Sequence, residues 1–254
     1  MTIDAIRVLD ADPDLGDVLD EGELDEARRA LVAPAMTLAK GDWSPRQAVP
    51  EGNGHLGLLV TQGILCREVA IADTVCAELV GPGDLLRPWD GGGVSALVAS
   101  DVRWRVLQET RFALLGRRFT ITAARWPSLT SAFVARSVSR SQGLAVSAAI
   151  TCTIGLDRRL VMLFSHLADR WGKVRPDGLM VPVPMTHELI GRLIGACRPS
   201  VSTALKQLER EGLIVRLGAD GWLLRHPPLR LLQGTGGEAP DAICGASPAV
   251  AATA

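Results

Sequence analysis

The chain has 254 residues, room for two modest domains with tails, and its 47% hydrophobic and 22% charged content is ordinary globular composition. No apolar run approaches the roughly 18–20 residues of a membrane span, and Met1–Asp14 has neither the basic start nor the apolar stretch of a secretory signal. The net charge of −1 hides an asymmetry: residues 156–232 hold 12 Lys and Arg against 7 Asp and Glu, whereas residues 1–155 hold 15 against 19. One basic segment in an otherwise acidic chain fits a local polyanion-binding module.

Ten acidic residues fall within Met1–Glu26, so residues 1–34 read as a poorly ordered acidic leader with one helix near Leu24–Val32. From 35 to 126 the texture is β. His55–Val60 and Ile64–Ile71 are apolar runs joined at Gln62-Gly63, which predicts a hairpin. Further strands are predicted at Val75–Val80, Val94–Ala99 and Trp104–Leu107, with turns such as Gly81-Pro82-Gly83-Asp84 between them. Several short strands at regular spacing suggest a small sandwich or barrel-like roll.

After Pro127 the texture becomes helical, and residues 127–155 read as one long helix. Leu129, Phe133, Arg136, Arg140, Gly143, Ser147, Ile150 and Ile154 recur alternately every three and four residues. That is an a/d seam of about four heptads. Its small members would let two helices approach closely, which suggests a dimer helix. The alternative is a helix packed on its own domain. Leu156–Trp171 is a second helix with Leu160, Leu163, Phe164 and Leu167 on one face, and Gly172–Pro184 is a loop or short strand. The tail, 233–254, is rich in Gly, Ala, Pro and Ser and reads as disordered.

Between these lies the most informative stretch, Pro184–His226. Thr186 caps a short helix whose apolar face is Leu189, Ile190, Leu193 and Ile194; Gly195-Ala196-Cys197 makes a tight turn. A second helix, Arg198–Arg210, has Pro199 in its first turn, where a missing N–H costs nothing. Val201, Leu205 and Leu208 face inward. Leu213–Leu217 and Trp222–Arg225 then form a hairpin around Gly218–Gly221. This is the order of a winged helix-turn-helix, in which one helix enters the major groove and the preceding helix crosses the backbone. Arg198, Pro199, Ser200, Ser202 and Thr203 are the candidate base readers, and Thr186, Lys206, Arg216 and Arg225 the candidate phosphate contacts. A winged helix used for protein contact remains the alternative.

At this point the chain resembles the Crp/Fnr (catabolite-activator) family of bacterial regulators, over roughly Met36–His226. The likeness is strongest in Thr186–Ile214, especially Ile190-Gly191, Ile194-Gly195 and Cys197 through Lys206. It implies an α+β chain: a cyclic-nucleotide-binding-like β-roll, a long dimerisation helix and a C-terminal winged helix-turn-helix at 156–232. It also implies a homodimer on a two-fold operator, with half-sites one helical turn apart. Double-stranded DNA and a second copy are then the partners, with RNA polymerase as a further one to consider.

The resemblance also sets expectations for the roll. Family members that bind cyclic nucleotide hold its phosphate on a Gly-Glu pair and a later Arg-Ser/Thr pair. Here those positions carry Arg87-Pro88 and Gly93-Val94-Ser95, and the adenine-reading hydroxyls become Leu144-Ala145. Cyclic AMP in that mode is not expected. Arg87, Gly91, Gly92, Gly93 and Ser95 could form an anion nest or a plain loop, and Arg140 either snorkels to solvent or lines a pocket. No cofactor, metal or catalytic group is predicted. The cysteines (Cys66, Cys76, Cys152, Cys197, Cys244) are odd in number and scattered without a Cys-x-x-Cys pair, which suggests reduced thiols in a cytoplasmic protein. No paired carboxylates, Ser/His/Asp spacing or phosphate loop points to an enzyme.

Overall fold

A computed structural model describes residues 3–45, 54–89, 98–218 and 221–225. Short apolar runs broken at glycine and proline build two antiparallel sheets. One has the order β1 (Ile3–Arg7), β2 (Val32–Leu38), β9 (Thr110–Leu115), β4 (Gly57–Gln62), β7 (Leu85–Leu86). The other has the order β3 (Gly41–Trp43), β8 (Asp101–Val106), β5 (Leu65–Ile71), β6 (Thr74–Val80). Met36, Leu58 and Phe112 of the first sheet pack on Leu65, Val80 and Trp104 of the second, which makes the roll's core.

The turn at Gln62-Gly63 is not the hairpin the sequence suggests. β4 pairs with β9 and β7, whereas β5 pairs with β6 and β8. The chain crosses between sheets there. Gly63 has φ 84°, and a Cβ on it would fall 2.2 Å from the Glu109 carbonyl oxygen. Only glycine tolerates both conditions. Of the predicted strand Val94–Ala99, residues 94–97 lie outside the described residues, and Val98 and Ala99 are not in a strand.

The leader also departs from expectation, because it is folded. β1 extends the first sheet by pairing with β2. α1 (Val8–Ala11), a 3-10 turn (Pro13–Gly16) and α2 (Glu21–Ala30) follow, and the Asp20 carboxylate caps α2 by accepting from the Glu23 N–H at 2.8 Å. Val8, Leu9, Leu15, Ala27 and Leu31 are buried against Leu115, Phe119, Leu129 and Phe133. The acidic composition obscures how well these few apolar residues share one face.

α3 (Arg117–Ala123) leads to α4 (Pro127–Cys152), 26 residues long. The three-and-four periodicity of α4 is present, but its face turns inward on the same chain. Leu129 and Phe133 belong to the roll's leader core, and Ile150 to the core of the C-terminal domain. Arg136 pairs with Asp12 at 2.6 Å and Arg140 with Glu78 at 2.6 Å. Ser147 Oγ donates to the Gly143 carbonyl. Ile154 lies beyond the helix end and is 86% exposed. Leu129, Phe133 and Ile150 of the predicted seam thus pack within the chain itself. The large apolar residues α4 leaves exposed are Val134, Val138, Leu144 and Val146.

The C-terminal domain comprises α5 (Leu156–Trp171), β10 (Lys173–Arg175), β11 (Gly178–Val181), α6 (His187–Ile194), α7 (Arg198–Arg210), β12 (Ile214–Leu217) and β13 (Gly221–Leu224). Its sheet runs β10-β11-β13-β12. Leu160, Phe164, Ile190, Val201, Leu205 and Trp222 fill a core that continues into Ile64, Cys66 and Leu79 of the roll. Ion pairs reinforce the junction. Both Asp84 oxygens accept from Arg170 Nη2, at 2.8 and 2.7 Å, and Glu68 pairs with Arg192 of α6.

Candidate nucleic-acid interface

α6 and α7 cross at a turn set by two close approaches. Gly195 ends α6 in the left-handed region at φ 65°, as a helix stop requires. Gly191 lies against the Ala196 carbonyl, which a Cβ would meet at 2.4 Å. Thr186 Oγ1 accepts from the Leu189 N–H at 3.2 Å, so its hydroxyl is the α6 cap. Arg159 fixes the assembly from behind, donating to the carbonyls of Thr153 and Ile194.

Val201, Leu205 and Leu208 are buried, which turns the other face of α7 to solvent. Arg198, Pro199, Ser200, Thr203 and Lys206 are all exposed on it. These five share one surface beginning at the helix N-terminus, and Thr186 is exposed at the start of α6. Arg216 is exposed on the wing, where its guanidinium lies over the Trp222 ring and its Nε donates to the Gly218 carbonyl at 3.2 Å.

Two of the predicted contacts are placed differently. Ser202 is half-buried between the helices: its Oγ donates to the Arg198 carbonyl and meets His187 Nδ1 at 2.8 Å. It braces the helix pair and is not turned toward a groove. Arg225 lies at the base of the wing, its N–H bonded to the Leu213 carbonyl and its side chain near Gly212. That is the far end of α7 from Arg198. Sequence reasoning missed His187, because a lone histidine carries no spacing signal; its contact with Ser202, fifteen residues on, exists only in the fold. Burial lowers its pKa, helped next by the Arg216 charge. The Cys197 thiol at the α7 N-cap is lowered by its hydrogen bond with Ser200.

In the roll, Gly91, Gly92, Gly93 and Ser95 lie outside the described residues. Arg87 and Arg140 both border one cavity of about 990 Å³. Arg140 is thus a pocket-lining residue whose side chain is only 22% exposed, and the snorkelling reading does not hold.

The described residues thus form a β-roll joined by a long helix to a winged helix-turn-helix. Residues 158–229 match the model for the Crp-like helix-turn-helix domain. Solved structures share the fold. A CooA mutant from Carboxydothermus hydrogenoformans is 17% identical, covering 87% of this chain and 91% of that one, with a TM-score of 0.55. FixK2 from Bradyrhizobium japonicum is 17% identical over 82% and 99%, with a TM-score of 0.58. A CRP-family transcriptional regulator from Thermus thermophilus is 24% identical over 74% and 91%, with a TM-score of 0.51. No curated protein matches the chain. The chain thus carries a Crp-like helix-turn-helix domain and has the fold of Crp/Fnr-family transcriptional regulators.

Proposed function

We propose that the chain is a homodimeric, sequence-specific transcription regulator that acts in the cytoplasm and lays α7 of each protomer into the major groove of a palindromic operator. The observation that carries this reading is the solvent face of α7, where Arg198, Ser200, Thr203 and Lys206 stand together behind a packed helix pair. Arg198 suits a bidentate contact to guanine, and the small Ser200 and Thr203 permit close approach. Lys206, Arg216 and Thr186 suit phosphates on either side. The roll then responds to an effector other than cyclic AMP or cyclic GMP, because Arg87-Pro88 replaces the Gly-Glu pair that a cyclic phosphate would need. For the dimer, the exposed Val134 and Val138 of α4 replace the buried seam as the contact face.

Selection of bound fragments from genomic DNA, followed by titration at several salt concentrations, tests the reading. Tight, salt-dependent binding to a two-fold site is expected, with the logarithm of affinity falling linearly against that of salt. Binding that is absent, or indifferent to salt, would instead indicate a winged helix devoted to protein contact.

A further inference from the structure

His187 is the first residue of α6, next to the Thr186 cap, where the positive end of the helix disfavours a further positive charge. Two other elements meet on its half-buried ring. From α7, Ser202 Oγ lies 2.8 Å from Nδ1 and itself donates to the Arg198 carbonyl at 3.0 Å. From the wing, the Trp222 ring lies 6.2 Å away between centroids, and the Arg216 guanidinium sits over that ring at 5.7 Å. A serine hydroxyl has one proton, and a carbonyl can only accept. With that proton committed to Arg198, Nδ1 must be the donor to Ser202, and Nε2 is the nitrogen left to take up a second proton. The relay then runs in one direction, from the His187 ring through Ser202 to the backbone of Arg198.

Burial, and next the Arg216 charge, hold the pKa of the ring below its ordinary value in the free chain. Arg198 and Lys206 of α7 also oppose protonation, and Glu209 of α7 favours it. Phosphates seated on Thr186, Lys206 and Arg216 would reverse this balance, because each brings a negative charge beside the same cations. We propose that His187 is a proton-linked positioning residue: DNA binding draws a proton onto its ring, and the charged ring steadies Arg198 through Ser202. The inference rests on the DNA-binding reading above and deepens it. An imidazolium donates a stronger, charge-assisted hydrogen bond than the neutral ring. The carbonyl of Arg198, at the start of α7, is therefore held most firmly when DNA is in place. Acid then loosens the fold at this residue while strengthening its grip on the duplex.

Fluorescence anisotropy on the full chain, at fixed salt between pH 7.5 and 6.0, tests this with two labelled duplexes. One carries the site selected from genomic fragments, and the other is changed at the base pair that Arg198 reads. Affinity for the selected site should rise about three- to tenfold per chain over that interval, within the roughly thirtyfold ceiling that one proton per chain sets. The gain should be smaller on the changed duplex, where Arg198 has no matching base to hold. Calorimetry in two buffers of different ionisation enthalpy should register net proton uptake. His187→Gln, which can still donate to Ser202 but takes up no proton, should flatten the profile near the wild-type affinity at pH 7.5. His166→Gln and His226→Gln should leave the profile in place. Ser202→Ala cuts the relay and should give both duplexes the same gain. If His187→Gln does not fold at pH 6.0, NMR titration of the His187 ring in the wild-type chain carries the test, its pKa rising when duplex is added. A flat wild-type profile, proton uptake that survives His187→Gln, equal gains on the two duplexes in the wild-type chain, or a ring pKa unmoved by DNA would each overturn the proposal and leave the regulator standing. No DNA binding at any pH sinks both.

Discussion

Arg198 and Lys206 lie eight residues apart on the same exposed face of α7, yet the groove asks different things of them. Arg198→Ala should cost about 1–3 kcal/mol on the preferred site and flatten discrimination at one base pair. Lys206→Ala should weaken all sequences alike and reduce the salt slope by about one. Fluorescence anisotropy on matched and mutated operators distinguishes them, and equal, sequence-independent losses would move the reading helix elsewhere. His187 supplies a pH test. Its pKa is lowered, first by burial and then by Arg216, so the unfolded chain takes up a proton as pH falls through 6.5 while the folded chain resists. Stability is full above 6.5 and is lost as pH falls toward the folded value. His166, lowered by burial and Arg170, adds in the same direction. The Tm should thus drop between pH 7.5 and 5.5, and His187→Gln should remove part of that drop. An unchanged pH slope in the variant would mean that the Ser202 brace carries no proton linkage.

At the scale of elements, α4 shows that a period is easier to read than its partner. The recurrence of Leu129, Phe133 and Ile150 is a true apolar stripe, but nothing in one sequence says whether the surface it meets belongs to the same chain. Arg136 and Arg140 were the signal available: two arginines within a close helix seam demand carboxylates, and Asp12 and Glu78 supply them from the same chain. α6 and α7 were legible almost to the residue, because capping, the Gly195 stop and Pro199 are local chemistry. Pairing of β4 and β5 was not legible, since a glycine turn looks the same whether it closes a hairpin or changes sheets. The exposed side of α4 now makes a sharper dimer prediction. Val138→Glu should yield a folded monomer with weakened operator affinity, whereas Ile150→Glu should unfold the chain, because it forces an unpaired charge into a core. Analytical ultracentrifugation with circular dichroism separates these outcomes. A dimer retained by Val138→Glu would clear α4 of the interface.

For the whole molecule, the junction between roll and winged helix is a packed and charged surface. Asp84 is 6% exposed, and it accepts from Arg170 as well as from the Gly81 N–H. Trp171 packs beside it, donating from Nε1 to the Pro82 carbonyl. Arg170→Ala leaves that carboxylate without its cation and should cost about 2–3 kcal/mol, the Arg side chain being partly solvated. Differential scanning calorimetry checks this, and a split of one unfolding transition into two would show that the junction couples the domains. An unchanged Tm would make the pair ornamental. None of these partners was visible in the sequence, where Asp84 and Arg170 stand 86 positions apart.

The folded leader has a consequence for how the chain is made. β1 can close on β2 as soon as residue 38 is out, but Val8, Leu9 and Leu15 bury against Phe119, Leu129 and Phe133. Asp12 waits 124 residues for Arg136. At a synthesis rate of about 5–20 residues per second, those 124 residues leave the leader roughly 6–25 s with its apolar face uncovered. Ten carboxylates in the first 26 residues keep that waiting segment dissolved. The acidity that made it look disordered is then the property that lets it arrive last at its own place in the fold.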